Sequence, residues 1–280
     1  GILASKIATE LRLRKIAGAD ETTANIGEIN ARLRELNDCF TKQLKEARDI
    51  QMDVVPKSLP FDERFDMCAA YEPLEDVGGD WYFARQLPSG RLSVQIADVT
   101  GHGLSAAFIA CMTKLALMAA DKENPAELLT EMNKLMSTCI PAGKFVTMFS
   151  YLYDPETGKL GYARAGHPPA LLLKRKEGLV KQLTGEGFAV GFFEDSEYKM
   201  ETEQLDIGDV LMVYTDVLPE SQNMSGQTYD YERMSNVLLR SAEDASSAEI
   251  LRSILEDFDE FRDGRILKDD LTSIVIKRKG

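Results

Sequence analysis

The chain is poor in the residues that build soft-metal and disulfide chemistry. Its 280 residues include four cysteines, Cys39, Cys68, Cys111 and Cys139, with no CxxC spacing, and two histidines, His102 and His167. Neither a zinc site nor a disulfide framework is therefore signalled, and the cysteines fit small, mostly buried side chains in a reducing cytoplasm. No apolar run is long enough to span a bilayer, and no signal peptide is present. A formal charge of -13 with no basic block argues against nucleic-acid and anionic-lipid partners. A Walker A sequence is absent as well, which disfavours a nucleotide hydrolase or metal nuclease. Repeats and low-complexity tracts are missing. The first residue is Gly rather than Met, so the chain reads as a fragment whose upstream portion lies elsewhere. The expected setting is the cytoplasm, either free or as the cytoplasmic part of a membrane-bound receptor.

What is present is a set of acidic residues at the ends of apolar, strand-like runs: Asp80 in VGGDWY, Asp98 in VQIADVTGHG, Asp216 in LMVYTD, and Asp269-Asp270 before LTSIVI. A carboxylate where a buried strand surfaces is unfavourable unless positive charge meets it, and a repeated set points to a hard divalent cation. The Pro88-Ser89-Gly90 turn separates two runs that read as a hairpin. With Ser89 at its centre, cross-strand partners have numbers summing to 178, which sets Asp80 opposite Asp98. Like charges so placed destabilise a sheet until a cation neutralises them.

The N-terminal part has a different pattern. Ile26, Leu33, Phe40, Ala47 and Val54 occupy one heptad position and Ile29, Leu36, Gln43 and Ile50 the other, with charged residues between. This predicts a helix that dimerises through residues 26–54, the alternative being an amphipathic helix lying on its own domain. A second helical pattern covers residues 3–16, joined by the polar connector AGADETTANIG. The order helix, connector, helix, with NIGEINARLRELNDCF, resembles the end of a HAMP signal-relay module. Pro56 and Pro60 close the segment, giving a helical linker over 1–56 and a second domain over 57–280.

Beyond Pro60, short strands and turns alternate with a few helices. FDMCAAYEP and the hairpin around Ser89 come first, then helices from about Gly103 to Ala120 and from about Asn124. PETG and EG centre two more hairpins, YKMETEQL and DVLMVYTD follow around DIG, and helices near 230–240 and 246–262 precede the final strand. Hairpins imply antiparallel sheets. The expected fold is α+β, a mainly antiparallel β-sandwich flanked by helix pairs and preceded by the helical segment. Met118, Met132 and Met136 fall at helical spacing and read as core.

VGGDWY, ADVTGHGLSAA, RAGHPPALLL, YTD and DDLTSIVI occur in this order. Together they resemble the SpoIIE/RsbU-type branch of the PPM metal-dependent serine/threonine protein phosphatases, over about residues 44–278. The resemblance implies that Asp98 bridges two Mn2+ or Mg2+ ions, with the Val99 carbonyl as a further ligand. It also implies Asp80 as a ligand from the facing strand, and Asp216 with Asp269 completing the shell, Asp270 competing for the last role. All-oxygen ligation suits these ions, which would supply an activated water for in-line hydrolysis without a phosphoenzyme. Gly78, Gly79, Gly101 and Gly103 would let the backbone approach closely.

His102 lies in the metal-motif loop, where an imidazole can protonate a leaving serine oxygen, with a loop or helix-capping role as the alternative. His167, followed by two prolines, reads as structural. Two departures from the family pattern stand out. Val217 replaces the glycine of YTDG and would be strained if that site needs positive φ. Phe83 replaces an Asp and would remove an outer hydrogen bond. The expected function is hydrolysis of phosphoserine or phosphothreonine on a small regulatory protein, such as a STAS-type anti-sigma-factor antagonist. A non-catalytic dimeric relay that binds such a partner is the alternative. Ser221 to Ala245, polar and turn-rich, is the candidate partner-recognition stretch.

Overall fold

A computed structural model of the chain describes residues 29–53 and 55–280. The helical pattern over 3–16, the connector with its HAMP-like segment up to residue 28, and seam residues Ile26 and Val54 lie outside the described residues. Contacts divide the chain into two compact units, Gly1–Asp49 and Ile50–Gly280. A helix, α1, runs over 29–52. In the first unit, seam residues Ile29, Leu33, Leu36 and Phe40 are all more than half exposed.

The second unit is built on two five-stranded antiparallel sheets. One holds β2 (Trp81–Gln86), β3 (Leu92–Val99), β4 (Val146–Tyr153), β5 (Lys159–Ala165) and β8 (Glu201–Gln204), in that order. The other runs β1 (Phe65–Glu72), β10 (Leu271–Arg278), β9 (Val210–Tyr214), β6 (Ala170–Lys174), β7 (Leu179–Leu183). Helices α2 (Leu104–Ala120) and α3 (Pro125–Ser137) cover the first sheet, and α5 (Tyr231–Arg240) with α6 (Ser247–Arg262) covers the second. A single turn, α4 (Val217–Glu220), follows β9.

Side-chain alternation explains why the strands read as nearly continuous apolar runs. In β3, Leu92, Val94 and Ile96 face the space between the sheets, while Ala97 and Val99 face the helices. In β9, Leu211 and Val213 take the first role and Val210, Met212 and Tyr214 pack under α5 and α6. The central strands thus feed two cores and are mostly apolar on both faces, with a few buried polar residues such as Ser93, Gln95 and Ser150 among them. Helix starts are where capping chemistry puts them: Asn124 accepts from Ala126 and Glu127 N–H groups, and Ser246 with Glu249 forms a capping box.

The Ser89 hairpin has the expected register, Trp81 opposite Ala97 through Gln86 opposite Leu92. Three sequence expectations need correction. YKMETEQL and DVLMVYTD do not pair, because β8 joins β5 and β9 lies in the other sheet between β6 and β10. The DIG turn instead crosses between the sheets, tied down by buried Lys174, whose Nζ donates to Asp209 Oδ2 at 2.5 Å and Asp206 Oδ2 at 3.2 Å. Met132 and Met136 are core, but Met118 is exposed on the outer face of α2. Val217 starts α4 with no positive φ, the described non-glycine residues with that property being Asp121 and Asp263. Valine is therefore unstrained there, and its side chain is buried under α5 and α6.

Candidate metal centre

Antiparallel pairing brings the acidic residues to one end of the sandwich. β2 begins beside the end of β3, and β10 begins beside the end of β9. Asp80 and Asp98 therefore emerge from one sheet where Asp216, Asp269 and Asp270 emerge from the other.

Asp80 is buried, and its Oδ2 accepts from Thr215 Oγ1 at 2.9 Å and Thr272 Oγ1 at 2.6 Å. These hydroxyls come from the opposite sheet, so the carboxylate is clamped between the layers. Burial, then the charges of Asp98 and Asp270, hold its pKa well above the ordinary carboxylate range. Asp98 is pushed up to about 8 by burial and by Asp216, Asp269 and Asp270. Asp216 rises to about 6 through burial, Glu220 and Asp269, and Asp269 is raised mainly by burial.

Asp270 sits differently from Asp269. It is buried and accepts backbone N–H groups from Leu74 at 2.7 Å, Gly79 at 2.5 Å and Asp80 at 3.2 Å. Its carboxylate thus organises the Gly78–Asp80 loop. A Cβ at Gly78 would stand 2.3 Å from Asp270 Oδ2, and one at Gly79 2.9 Å from the Val99 carbonyl oxygen, so glycine is required at both for close approach. Asp269 is half-buried and faces the Asp98 and Asp216 side of the cluster, with His102 nearby.

His102 is exposed, its Nδ1 2.7 Å from Glu75 Oε1. His167 is buried, its Nδ1 2.8 Å from Thr147 Oγ1, and burial pushes it down to about 3. Thr147 is the register partner of Asp98, so this neutral imidazole braces the strand beside that carboxylate. Phe83 turns away from the cluster: Lys114 Nζ stands 3.0 Å over its ring, and the ring packs among the residues beneath α2 and α3.

Gln51 and Lys144 carried no motif signal, and the roles of Thr215 and Thr272 were hidden within motifs. Gln51, near the end of α1, grips Gly78 from both sides, accepting its N–H at 3.0 Å and donating to its carbonyl. Lys144 donates to the Thr100 carbonyl at 2.9 Å, beside Val99. Thr215 and Thr272 lie inside the quoted motifs, but only their convergence across the sheets marks them as the clamp on Asp80.

Among the described residues no ion pair meets Asp80, Asp98, Asp216 or Asp269. Such a desolvated, acceptor-only set fits a divalent cation. No three His, Cys, Asp or Glu side chains among the described residues already close around one point. Carboxylate and carbonyl oxygens suit Mg2+ or Mn2+, which keep several waters, better than zinc, which favours Cys and His.

Two antiparallel sheets between helix pairs, with this acidic end, define a metal-dependent phosphatase domain of the PP2C (PPM) class. The profile described as Stage II sporulation protein E (SpoIIE) matches residues 88–279, and the chain belongs to that family. It is 27% identical over 252 residues to Phosphoserine phosphatase RsbU of Bacillus subtilis (strain 168), covering 88% of this chain and 73% of that protein. The SiaA-PP2C domain of Pseudomonas aeruginosa superposes with a TM-score of 0.76 at 22% identity, covering 87% of this chain and 98% of that one. The catalytic domain of the serine/threonine phosphatase PstP, solved with two manganese ions, superposes with a TM-score of 0.57 at 16% identity, covering 77% and 99%.

Proposed function

We propose that the chain hydrolyses phosphoserine or phosphothreonine on a small regulatory protein of the STAS type, using two Mn2+ or Mg2+ ions. The observation that carries this is the convergence of Asp80, Asp98, Asp216 and Asp269 at one end of the sandwich, with no ion pair to any of them among the described residues. Asp98, Asp80, Asp216, Asp269 and the Val99 carbonyl would hold the two ions. Asp270 holds the Asp80 loop rather than an ion. When bound, the metal pair supplies an activated water and neutralises charge on the phosphoryl group.

The protein's own tasks are positional. Thr215 and Thr272 occupy Asp80 Oδ2 and leave Oδ1 available as an acceptor. Lys144 adds positive charge beside Thr100, where a phosphate dianion arrives. His102, paired with Glu75, is placed to give a proton to the departing serine oxygen. The relay alternative finds no support, since the carboxylates are all present and Val217 is unstrained.

Dimerisation through residues 26–54 is part of the same reading, supported by exposure of Ile29, Leu33, Leu36 and Phe40 along one heptad stripe. The linker is assigned to 1–56, with its HAMP-like stretch, and the phosphatase domain to 57–280, acting in the cytoplasm. No helix among the described residues is long and apolar enough to cross a membrane.

The test is phosphate release from a phosphoserine-bearing STAS protein with Mn2+, Mg2+ or chelator, using wild type, Asp98→Asn and Asp216→Asn. Metal-dependent release lost in both variants supports the reading. Binding of the partner with no release in any metal would overturn it in favour of the relay.

A further inference from the structure

Four phenylalanines pack together at the metal end of the sandwich. Phe192 meets Phe145 at 5.4 Å between ring centroids, Phe193 at 4.7 Å and Phe188 at 6.2 Å, and Phe188 meets Phe193 at 4.8 Å. Phe188, Phe192 and Phe193 remain 59%, 51% and 51% exposed despite packing on one another. Contiguous exposed aromatics on an otherwise acidic, soluble domain mark a contact surface.

The position of this patch follows from strand register. Thr147 is the cross-strand partner of Asp98, and Phe149, Tyr151 and Tyr153 on the same face of that strand line the space between the sheets. Phe145 directly precedes β4, two residues before Thr147. Its carbonyl accepts from the Thr100 N–H at 3.1 Å and the Thr100 hydroxyl at 2.8 Å, and neighbouring Lys144 bonds the Thr100 carbonyl. Val190 bridges to Val146, and Asn133 holds the segment from below, bonding Gly191, Phe193 and Glu194 main-chain groups. The patch is therefore a fixed continuation of the loop that follows Asp98.

We infer that Phe188, Phe192 and Phe193 form the substrate-docking surface for an apolar side chain two to four residues from the phosphorylated serine. The inference rests on the phosphatase reading and deepens it by naming the sequence around the phosphate. An extended peptide whose phosphoserine reaches Asp98 advances about 3.4 Å per residue, so its second to fourth neighbours pass over the rings. A Leu, Ile or Met there buries against aromatic surface that otherwise stays wet. Lys144, at the boundary between loop and patch, attracts the phosphate end of the same segment.

The experiment compares phosphoserine peptides with Leu or Ser at each of the second to fourth flanking positions, and p-nitrophenyl phosphate, all with Mn2+. Wild type is expected to prefer a Leu peptide at least ten-fold in kcat/KM, chiefly through KM. In the triple variant Phe188→Ser, Phe192→Ser, Phe193→Ser, peptide kcat/KM should fall at least ten-fold more than that for p-nitrophenyl phosphate, with the Leu preference gone. No preference in wild type, or an equal preference in the variant, would overturn the docking assignment while leaving the phosphatase reading standing. A lower solution mass for the variant would overturn it too, by making the patch an interface between copies. Failure of wild type to hydrolyse p-nitrophenyl phosphate would overturn the phosphatase reading and this inference with it.

Discussion

Stripping metal from this protein should make its stability fall as pH rises from 5 to 8, the reverse of ordinary carboxylate behaviour. Asp98 is pushed up to about 8 from 3.8, first by burial and then by Asp216, Asp269 and Asp270. A carboxyl with a higher pKa in the folded than in the unfolded chain binds protons preferentially when folded. Its stabilising contribution is complete below the unfolded value and is lost as pH climbs through the folded one. Between pH 5 and 8 the unfolded chain has released this proton while the folded chain largely keeps it. Close to three pH units at about 1.36 kcal/mol each amounts to about 4 kcal/mol, shared within the coupled carboxylate cluster around Asp98. For a domain of this size that is a fall in Tm of about 10 °C. Asp216, raised to about 6, acts in the same direction over the lower part of the range. Mn2+ at about a thousand times its Kd should offset a loss of this size, since such a ligand stabilises by about 4.1 kcal/mol. The Asp98→Asn variant should show a smaller fall in metal-free Tm between pH 5 and 8 than wild type, with buried Asp80 and Asp216 supplying what remains. The assay is thermal unfolding of chelated protein at both pH values, with and without Mn2+. A metal-free Tm that holds or rises from pH 5 to 8 would refute the placement of these carboxylates in one desolvated cluster.

Asp269→Asn and Asp270→Ala should differ in kind. The first weakens Mn2+ binding in a calorimetric titration with little change in metal-free Tm, whereas the second strands the N–H groups of Leu74, Gly79 and Asp80 and should cost at least about 3 kcal/mol in denaturant unfolding. Equal losses of stability would show the two roles wrongly divided. Val217→Gly should lower stability by about 2 kcal/mol without raising turnover, because it empties a buried site that needs no positive φ. A faster enzyme would contradict this. Gln51→Leu removes both partners of Gly78 and should reduce Mn2+ affinity through the Gly78–Asp80 loop, while an unchanged titration would mean Gln51 only anchors the helix end. Leu33→Asp with Leu36→Asp should abolish dimerisation and alter turnover, and unchanged mass and rate by light scattering and phosphate release would sink the coiled-coil reading.

The sequence by itself determined the elements and much of the acidic site. The Ser89 turn and the alternation on either side set a register that places Asp80 against Asp98, because a two-residue period leaves no freedom once the turn is known. Helix starts at Asn124 and Ser246 were legible because capping is local. Everything that depends on the two sheets meeting was not. The clamp of Thr215 and Thr272 on Asp80, the separation of Asp270 from Asp269, and the grip of Gln51 on Gly78 join residues 27 to 192 positions apart. So does the break between β8 and β9, where the DIG turn looks like a hairpin until buried Lys174 and the two sheets claim its arms. Val217 belongs here too, since its backbone angles are set by α4 and the packing around it rather than by the preceding motif. Local rules act over a few residues and are written in order along the chain. A countercharge, a bracket on a loop or an exposed aromatic patch exists only when distant segments share a surface, and that sharing is decided by which apolar faces pack together.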